Sequence, residues 1–449
     1  MKEGGEYGEI FFESRRMMRI THEENRIQQV ISGSDRGIGI RLIKNHKTSY
    51  AWTNVLKEKA LLEIASGIAK ISGGGHSSQR ELGPSRVVTI PWKVEYNPED
   101  VEFQGKIELV ERAREGVSSS DLIHHVKVNY SDITRKIQIA NTEGDFLAIT
   151  QPHVLIAVQV VAARDGELQI GYEAEGASRG LELFEEAPPE DVGKKAGERA
   201  VMMLVARKAP GGKMPVVLSQ EAGGTMVHEA VGHGLEADLA SGGLSVYAGK
   251  MGEQIASHLV TVVDDPTVPG KRGSFPIDDE GTETRRNILV ERGILKGFMY
   301  DRLQSMKGGA ERTGNGRRES YRHRPIPRMS NTLIAPGDSD PAEVIHSTDK
   351  GLLVRKMGGG QVNTVTGDFM FEVSEGYFIE KGKVGDPVRG ATLTGNGPEV
   401  LKMIDMVGND LGYGLGTCGK DGQGVPVADA QPTLRIGHPY ITVGGATNS

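Results

Sequence analysis

The sequence predicts an α+β protein. An N-terminal α/β domain of antiparallel strands and helices is expected over residues 1–209, and a mostly antiparallel β domain carrying a metal-binding helix over residues 210–449. Three observations predict this. Short runs alternating apolar and polar residues, the pattern of half-buried strands, recur from Tyr7 to Asn54 and from His125 to Tyr172. Helical periodicity occupies the intervals between and after them. The breaker-rich run Lys208-Ala-Pro-Gly-Gly-Lys-Met-Pro215 then separates this half from one dense in glycine.

In the first half, Glu9–Glu13, Arg16–Ile20, Arg26–Ile31 and Gly37–Ile43 read as short strands of an antiparallel meander. Val55–Lys70 reads as a helix because Leu56, Ala60, Leu61, Ile64 and Ile68 share one face. Arg80–Pro98, punctuated by prolines, reads as a linker, and Pro98–Arg114 as a second helix. Val126–Tyr130, Arg135–Ala140, Phe146–Thr150 and Val154–Val161 return to strand. Pro188–Asp191 opens a helix that runs to Arg207, since prolines and acids suit a helix N-terminus.

In the second half, Val216–Ser219 reads as a short strand and Ser219 as the N-cap of the following helix, which ends at Gly242-Gly243. Leu259–Val263, Asn287–Leu295, Phe369–Glu380 and Val384–Arg389 are expected strands, with a hairpin turn at Glu380–Lys383. Pro341–Ser347 and Pro398–Val407 are expected helices. Gly314–Arg328 and Asp410–Gln423 are too rich in glycine and charge to be core, and read as functional loops.

Composition bounds the function. A chain of 449 residues can bury a sizeable core. A net charge of −7 gives no reason to expect a polyanionic partner. A single cysteine excludes an intramolecular disulfide and makes a reducing, cytoplasmic location the default. The N-terminus has no apolar leader-like region, and the longest apolar runs, Val154–Ala163 and Ala200–Ala206, fall far short of a membrane span.

The chemistry concentrates in Thr225–Asp238, which holds His228, Glu229 and His233. Two imidazoles with a carboxylate between them suit a zinc hydrolase: the histidines bind metal and the carboxylate takes a proton from metal-activated water. The usual zinc-protease motif places its histidines four residues apart on one helix face. Here they are five apart, which in a regular α-helix separates them by about 140° around the axis. The spacing therefore predicts a π-like turn or a break near Gly232. A third ligand is available in Cys418, the only cysteine, within the glycine-dense run Gly412–Gly424. Two histidines and one thiolate leave a coordination position open, as a catalytic zinc site requires. Ten other histidines compete for that role, His124, His125 and His323 foremost.

The stretch His228-Glu-Ala-Val-Gly-His-Gly-Leu-Glu236 resembles the signature of the TldD/PmbA family of metalloproteases, on its metal-binding TldD side. Gly314-Asn-Gly-Arg-Arg-Glu-Ser-Tyr321, Gly367-Asp-Phe-Met-Phe-Glu372, Thr417-Cys-Gly-Lys-Asp-Gly-Gln423 and Gln431-Pro-Thr-Leu-Arg-Ile436 resemble the same family. The resemblance implies that His228, His233 and Cys418 hold Zn2+ and that Glu229 is the catalytic acid and base. It implies a peptidase acting on unfolded or precursor peptides, working as a homodimer or as a heterodimer with a paralogue that lacks the metal motif.

Other roles follow from chemistry. A cationic or hydroxyl group must steady the oxyanion, with Arg317, Arg318 and Tyr321 as candidates. Glu236 and Asp238 are candidates to orient the histidine rings. The strand Phe369–Val373 is a candidate edge for taking up an extended peptide by β-addition. Two rival readings stand beside this one. A nucleic-acid-associated or gyrase-modulating protein would draw on the five arginines of Arg317–Arg328, but overall acidity and 5% aromatic content weigh against it. A non-catalytic partner subunit would not need the intact Glu229.

Overall fold

The structure, a computed structural model, describes residues 7–72, 83–437 and 441–445. Its first part is one sheet of seven strands: β1 (Tyr7–Glu23), β2 (Arg26–Lys44), β3 (Lys47–Thr53), β4 (Arg86–Val87), β5 (Ile123–Asn141), β6 (Phe146–Arg164) and β7 (Glu167–Ala177). They run in the order β3-β2-β1-β5-β6, with β4 and β7 both paired to β6. Every pairing is antiparallel except β4 with β6. Helices Phe103–Glu115 and Pro189–Val205 cover one face, burying Val110, Ala113, Ala196 and Ala200 against Val128, Ile156 and Val158. The second of these starts as expected, on Pro189 with Glu190 and Asp191 in its first turn.

The short runs expected here are segments of longer strands. Polar residues that read as breaks stay in the ladder because their charges are paired. Arg15 lies directly across from Asp35 and 3.5 Å from its carboxylate, and Asp132 in β5 is 2.7 Å from Lys106. The second helix begins at Phe103 and not at Pro98, because Asn97 first holds a turn, accepting from Glu99 and Asp100. The expected linker begins at residues outside those described, and its later part supplies β4.

The second half builds a ten-stranded and a six-stranded sheet around the largest core. Val216–Leu218 lies between Lys350–Val362, parallel to it, and Leu434–Ile436. The expected strand Asn287–Leu295 is a hairpin, Asn287–Glu291 with Ile294–Leu295, turning through Arg292 and Gly293 at positive φ. The expected helix Pro398–Val407 stops at Lys402, and Ile404–Val407 joins a sheet instead. The hairpin turn at Lys381-Gly382 is present, both residues in the left-handed region.

Three functional expectations change with the fold. Asp368–Glu380 is an interior strand, bonded on one side to Lys350–Val362 and on the other to Thr392–Asn396, so Phe369–Val373 offers no free edge for a peptide. Gly412–Lys420 is an edge strand paired with Gln423–Gln431, not a loop. The run Gly314–Arg328 is largely buried, with Arg318, Tyr321 and Arg328 each 1% exposed or less. It packs against the first sheet: Arg318 is ion-paired with Glu9, while Tyr321 donates its backbone N–H to Glu13 and its hydroxyl to Asp35. Among the described residues, no helix is long and apolar enough to cross a membrane.

Candidate metal centre

Ser219 caps a separate 3-10 turn, Gln220–Ala222, by accepting from Glu221. It does not cap the ligand helix as expected, because Gly223 at φ +67° turns the chain between them. The helix then changes pitch twice. Thr225–Val227 is α, His228–Gly232 is π, and His233–Leu235 is 3-10. Extended backbone at Glu236 separates this from a last α segment, Ala237–Ser241. The widened turn is the distortion that the five-residue spacing predicted. The N–H of His233 bonds the carbonyl of His228, five residues back. Gly232 fits because Met329 packs against it; a Cβ there would meet Met329 Sδ at 2.0 Å.

The π turn brings the two imidazoles together, perpendicular, with ring centroids 5.2 Å apart. Cys418 arrives from the edge strand, its Sγ 3.6 Å from His233 Nε2. One ligand-capable atom from each of the three residues lies within 4.8 Å of the other two. All three side chains are buried, while Glu229 between the histidines is partly exposed. His124 and His125 are elsewhere, His125 against Glu23, and His323 bonds Ser320.

The ionisation of Cys418 and of His233 is shifted by their neighbours. Burial pushes the Cys418 thiol up, but its hydrogen bonds to His228 and His233 outweigh that and hold it well below its ordinary range. Burial disfavours charge on His233, yet Glu236 and Cys418 raise it well above its usual value. Burial raises the Glu229 carboxyl above its ordinary range against the pull of both histidines. His228 Nδ1 is buried and has no hydrogen-bond partner among the described residues. Two imidazoles and a thiolate are a donor set that fits zinc.

Behind the three donors stands a carboxylate. Glu236 Oε2 is 3.0 Å from His233 Nδ1, the place from which it orients the ring. Asp238 turns instead to Lys420, 2.7 Å away. Lys420 also sits 3.1 Å from Glu236 and, on the strand of Cys418, ties the two arms of the site together. Of the oxyanion candidates, Arg318 and Tyr321 face the first sheet and not this centre. Arg317 is committed to the carbonyls of Met329 and Pro426 and to the Phe275 ring. Sequence reasoning missed Asp429, buried beside His228 and accepting from Gly224 at the start of the helix. It also missed Lys420. Asp429 had no motif signal, whereas Lys420 lay within the run Thr417–Gln423 without a role assigned to it.

Three family models cover the chain: PmbA/TldA metallopeptidase domain 1 over residues 8–72, its central domain over 96–204 and its C-terminal domain over 211–446. The chain belongs to the PmbA/TldD metallopeptidase family. A relative in Haemophilus influenzae, a metalloprotease TldD homolog, is 38% identical over 98% of this chain and 93% of its own length. A zinc metalloprotease TldD homolog from Saccharolobus solfataricus is 29% identical over 98% of this chain and 97% of its own. A solved structure from Thermotoga maritima, of a proposed modulator of a DNA gyrase, matches with a TM-score of 0.80 at 25% identity, covering 98% of this chain and 96% of that one. TldE from Thermococcus kodakarensis shares the fold, with a TM-score of 0.77 at 20% identity over 99% of this chain and 98% of its own. The PmbA/TldD assignment thus spans the whole architecture, the first sheet included.

Proposed function

We propose that this chain is a zinc-dependent peptidase that hydrolyses unfolded peptides, with His228, His233 and Cys418 holding the metal and Glu229 moving the proton. The observation that carries this reading is the convergence of two imidazoles and a thiol within 4.8 Å, beside a partly exposed glutamate. When bound, the metal supplies a Lewis acid that polarises the scissile carbonyl and acidifies water. Glu229 accepts the proton that leaves water as its oxygen attacks the carbonyl carbon. It delivers that proton to the amine nitrogen as the C–N bond breaks. Glu236 keeps the His233 ring in orientation through Nδ1, and Lys420 keeps Glu236 in place.

A cytoplasmic setting, and pairing with a second copy or with a metal-less paralogue, belong to the same reading. An exposed apolar stripe on β7, Leu168, Ile170 and Tyr172, suits a subunit contact. The gyrase-modulating alternative loses the arginines it drew on, since three of the five, Arg317, Arg318 and Arg328, are buried and bonded within the chain. The test is zinc content together with cleavage of unfolded casein. Wild type should bind one zinc per chain and cleave. Glu229→Gln should keep the zinc and lose roughly 10²–10⁴-fold in rate. Zinc-replete protein that cleaves no unfolded peptide, alone or with a paralogue, would rule the reading out.

A further inference from the structure

The turn that brings His228 and His233 together is unusual, and groups from outside the helix hold it. A π turn shifts each backbone donor by one residue relative to an α-helix, so carbonyls along it call for other partners. Ala230, between the two histidines, has such a partner: its carbonyl accepts from Tyr247 Oη at 3.0 Å. The carbonyl of Gly234, just past His233, accepts from Ser245 Oγ at 2.5 Å. The same Ser245 oxygen accepts from the backbone N–H of Tyr247 at 3.0 Å, so the two donors form one clamp. Val246, between them, is anchored to the carbonyl of Thr364 at 2.8 Å. The Tyr247 ring packs against Gly234, where a Cβ would meet it at 2.7 Å. Tyr247 is fully buried, and a buried phenol retains a hydrogen-bond partner in order to stay there.

We infer that Tyr247 is a positioning residue for the metal centre: its hydroxyl holds the turn in the wide register in which the two imidazoles converge. It works through backbone, since its bond is to the Ala230 carbonyl and not to a ligand side chain. Without that bond the segment is freer to take the α register. In that register, residues five apart lie about 140° apart around the axis and His233 leaves the site. The inference rests on reading His228, His233 and Cys418 as metal ligands.

Tyr247→Phe removes the donor and keeps the ring. Cobalt(II) is the probe, because its visible absorption reports thiolate ligation and coordination geometry independently of any peptide cleavage. Cobalt affinity should fall about tenfold or more, and the absorption bands should shift. The apoprotein should still unfold cooperatively with a wild-type far-UV spectrum. Ser245→Ala should weaken cobalt binding in the same direction by less, and it carries the test if Tyr247→Phe does not fold. Folded apoproteins of both variants binding cobalt with wild-type affinity and spectrum would overturn the inference. Wild type that takes up no cobalt would overturn the metal reading and this inference with it. Because metal binding and hydrolysis are read separately, a failure of the peptidase reading remains distinct from a failure of the clamp.

Discussion

At the seam between the first sheet and residues 278–321, Arg41, Arg135, Arg302 and Arg318 each meet a carboxylate of this chain: Glu280, Glu13, Glu143 and Glu9. At the centre of His228, His233 and Cys418, three donors converge on one another and the helix between them is bent out of its ordinary pitch. Both regions bury ionisable groups. The seam pairs each of these charges within the chain, although Arg41 Nε, Arg302 Nε and Arg318 Nε and Nη1 have no hydrogen-bond partner among the described residues. The centre instead gathers ligand-capable atoms of three residues within 4.8 Å of one another. Damage at the seam should therefore appear in folding stability, and damage at the centre in metal affinity and chemistry.

The largest expected effect falls at the seam. Arg318→Ala takes the ion-pair partner from the buried Glu9 side chain, leaving it Tyr7 Oη at 3.1 Å and Arg41 at 3.9 Å, and should cost about 3–5 kcal/mol of stability. Arg318→Met combined with Glu9→Gln should recover most of it in urea denaturation. If the single and double variants are equally unstable, charge balance is not what matters there. A smaller loss is expected at the centre from Gly232→Ala, about 2 kcal/mol by overpacking against Met329. Met329→Ala in the same chain should relieve it, and a double-mutant cycle measures the coupling. Glu236→Gln should leave unfolding nearly unchanged while weakening zinc about tenfold, worth ~1.4 kcal/mol. A zinc titration by chelator competition that shows no change would remove Glu236 from the site.

The subtlest test is of pH. Burial, and then the charge of Glu280, push the Asp301 carboxyl at the seam up to about 7. The folded protein then holds a proton that the unfolded chain releases near pH 4. The stability this proton contributes is present at low pH and is lost as pH rises from about 4 through 7. Asp301→Asn should flatten the urea midpoint across that interval. An unchanged slope would mean that Asp301 is charged throughout and that the seam tolerates it.

Much of this was legible in the sequence where the information is local. The alternation in β5 and β6, the proline-led helix at Pro189 and the turn at Lys381-Gly382 follow from period and turn chemistry. The five-residue spacing of His228 and His233 demanded a widened turn, and Gly232 marked where it could occur. Charged positions were misread for a common reason. Arg15, Asp132, Arg317 and Arg318 read as solvated or as breaks, because a sequence does not show which residue of another element will face them, 20 positions away for Arg15 and 309 for Arg318. The glycines of Gly412–Gly419 hid a strand, since residues without side chains carry no alternation.

What the sequence determined by itself is therefore the kind of chemistry available: two imidazoles, a carboxylate between them, a single thiol, and a helix that could not be regular. Only the tertiary structure decided that the thiol meets the imidazoles, on an edge strand that approaches the helix. It also decided that Tyr247 and Ser245 hold the turn open, and that Lys420 stands behind Glu236. Local pattern constrains φ, ψ and amphipathic face, whereas the meeting of side chains 185 residues apart depends on how sheets pack, and that free energy is spread over the whole core.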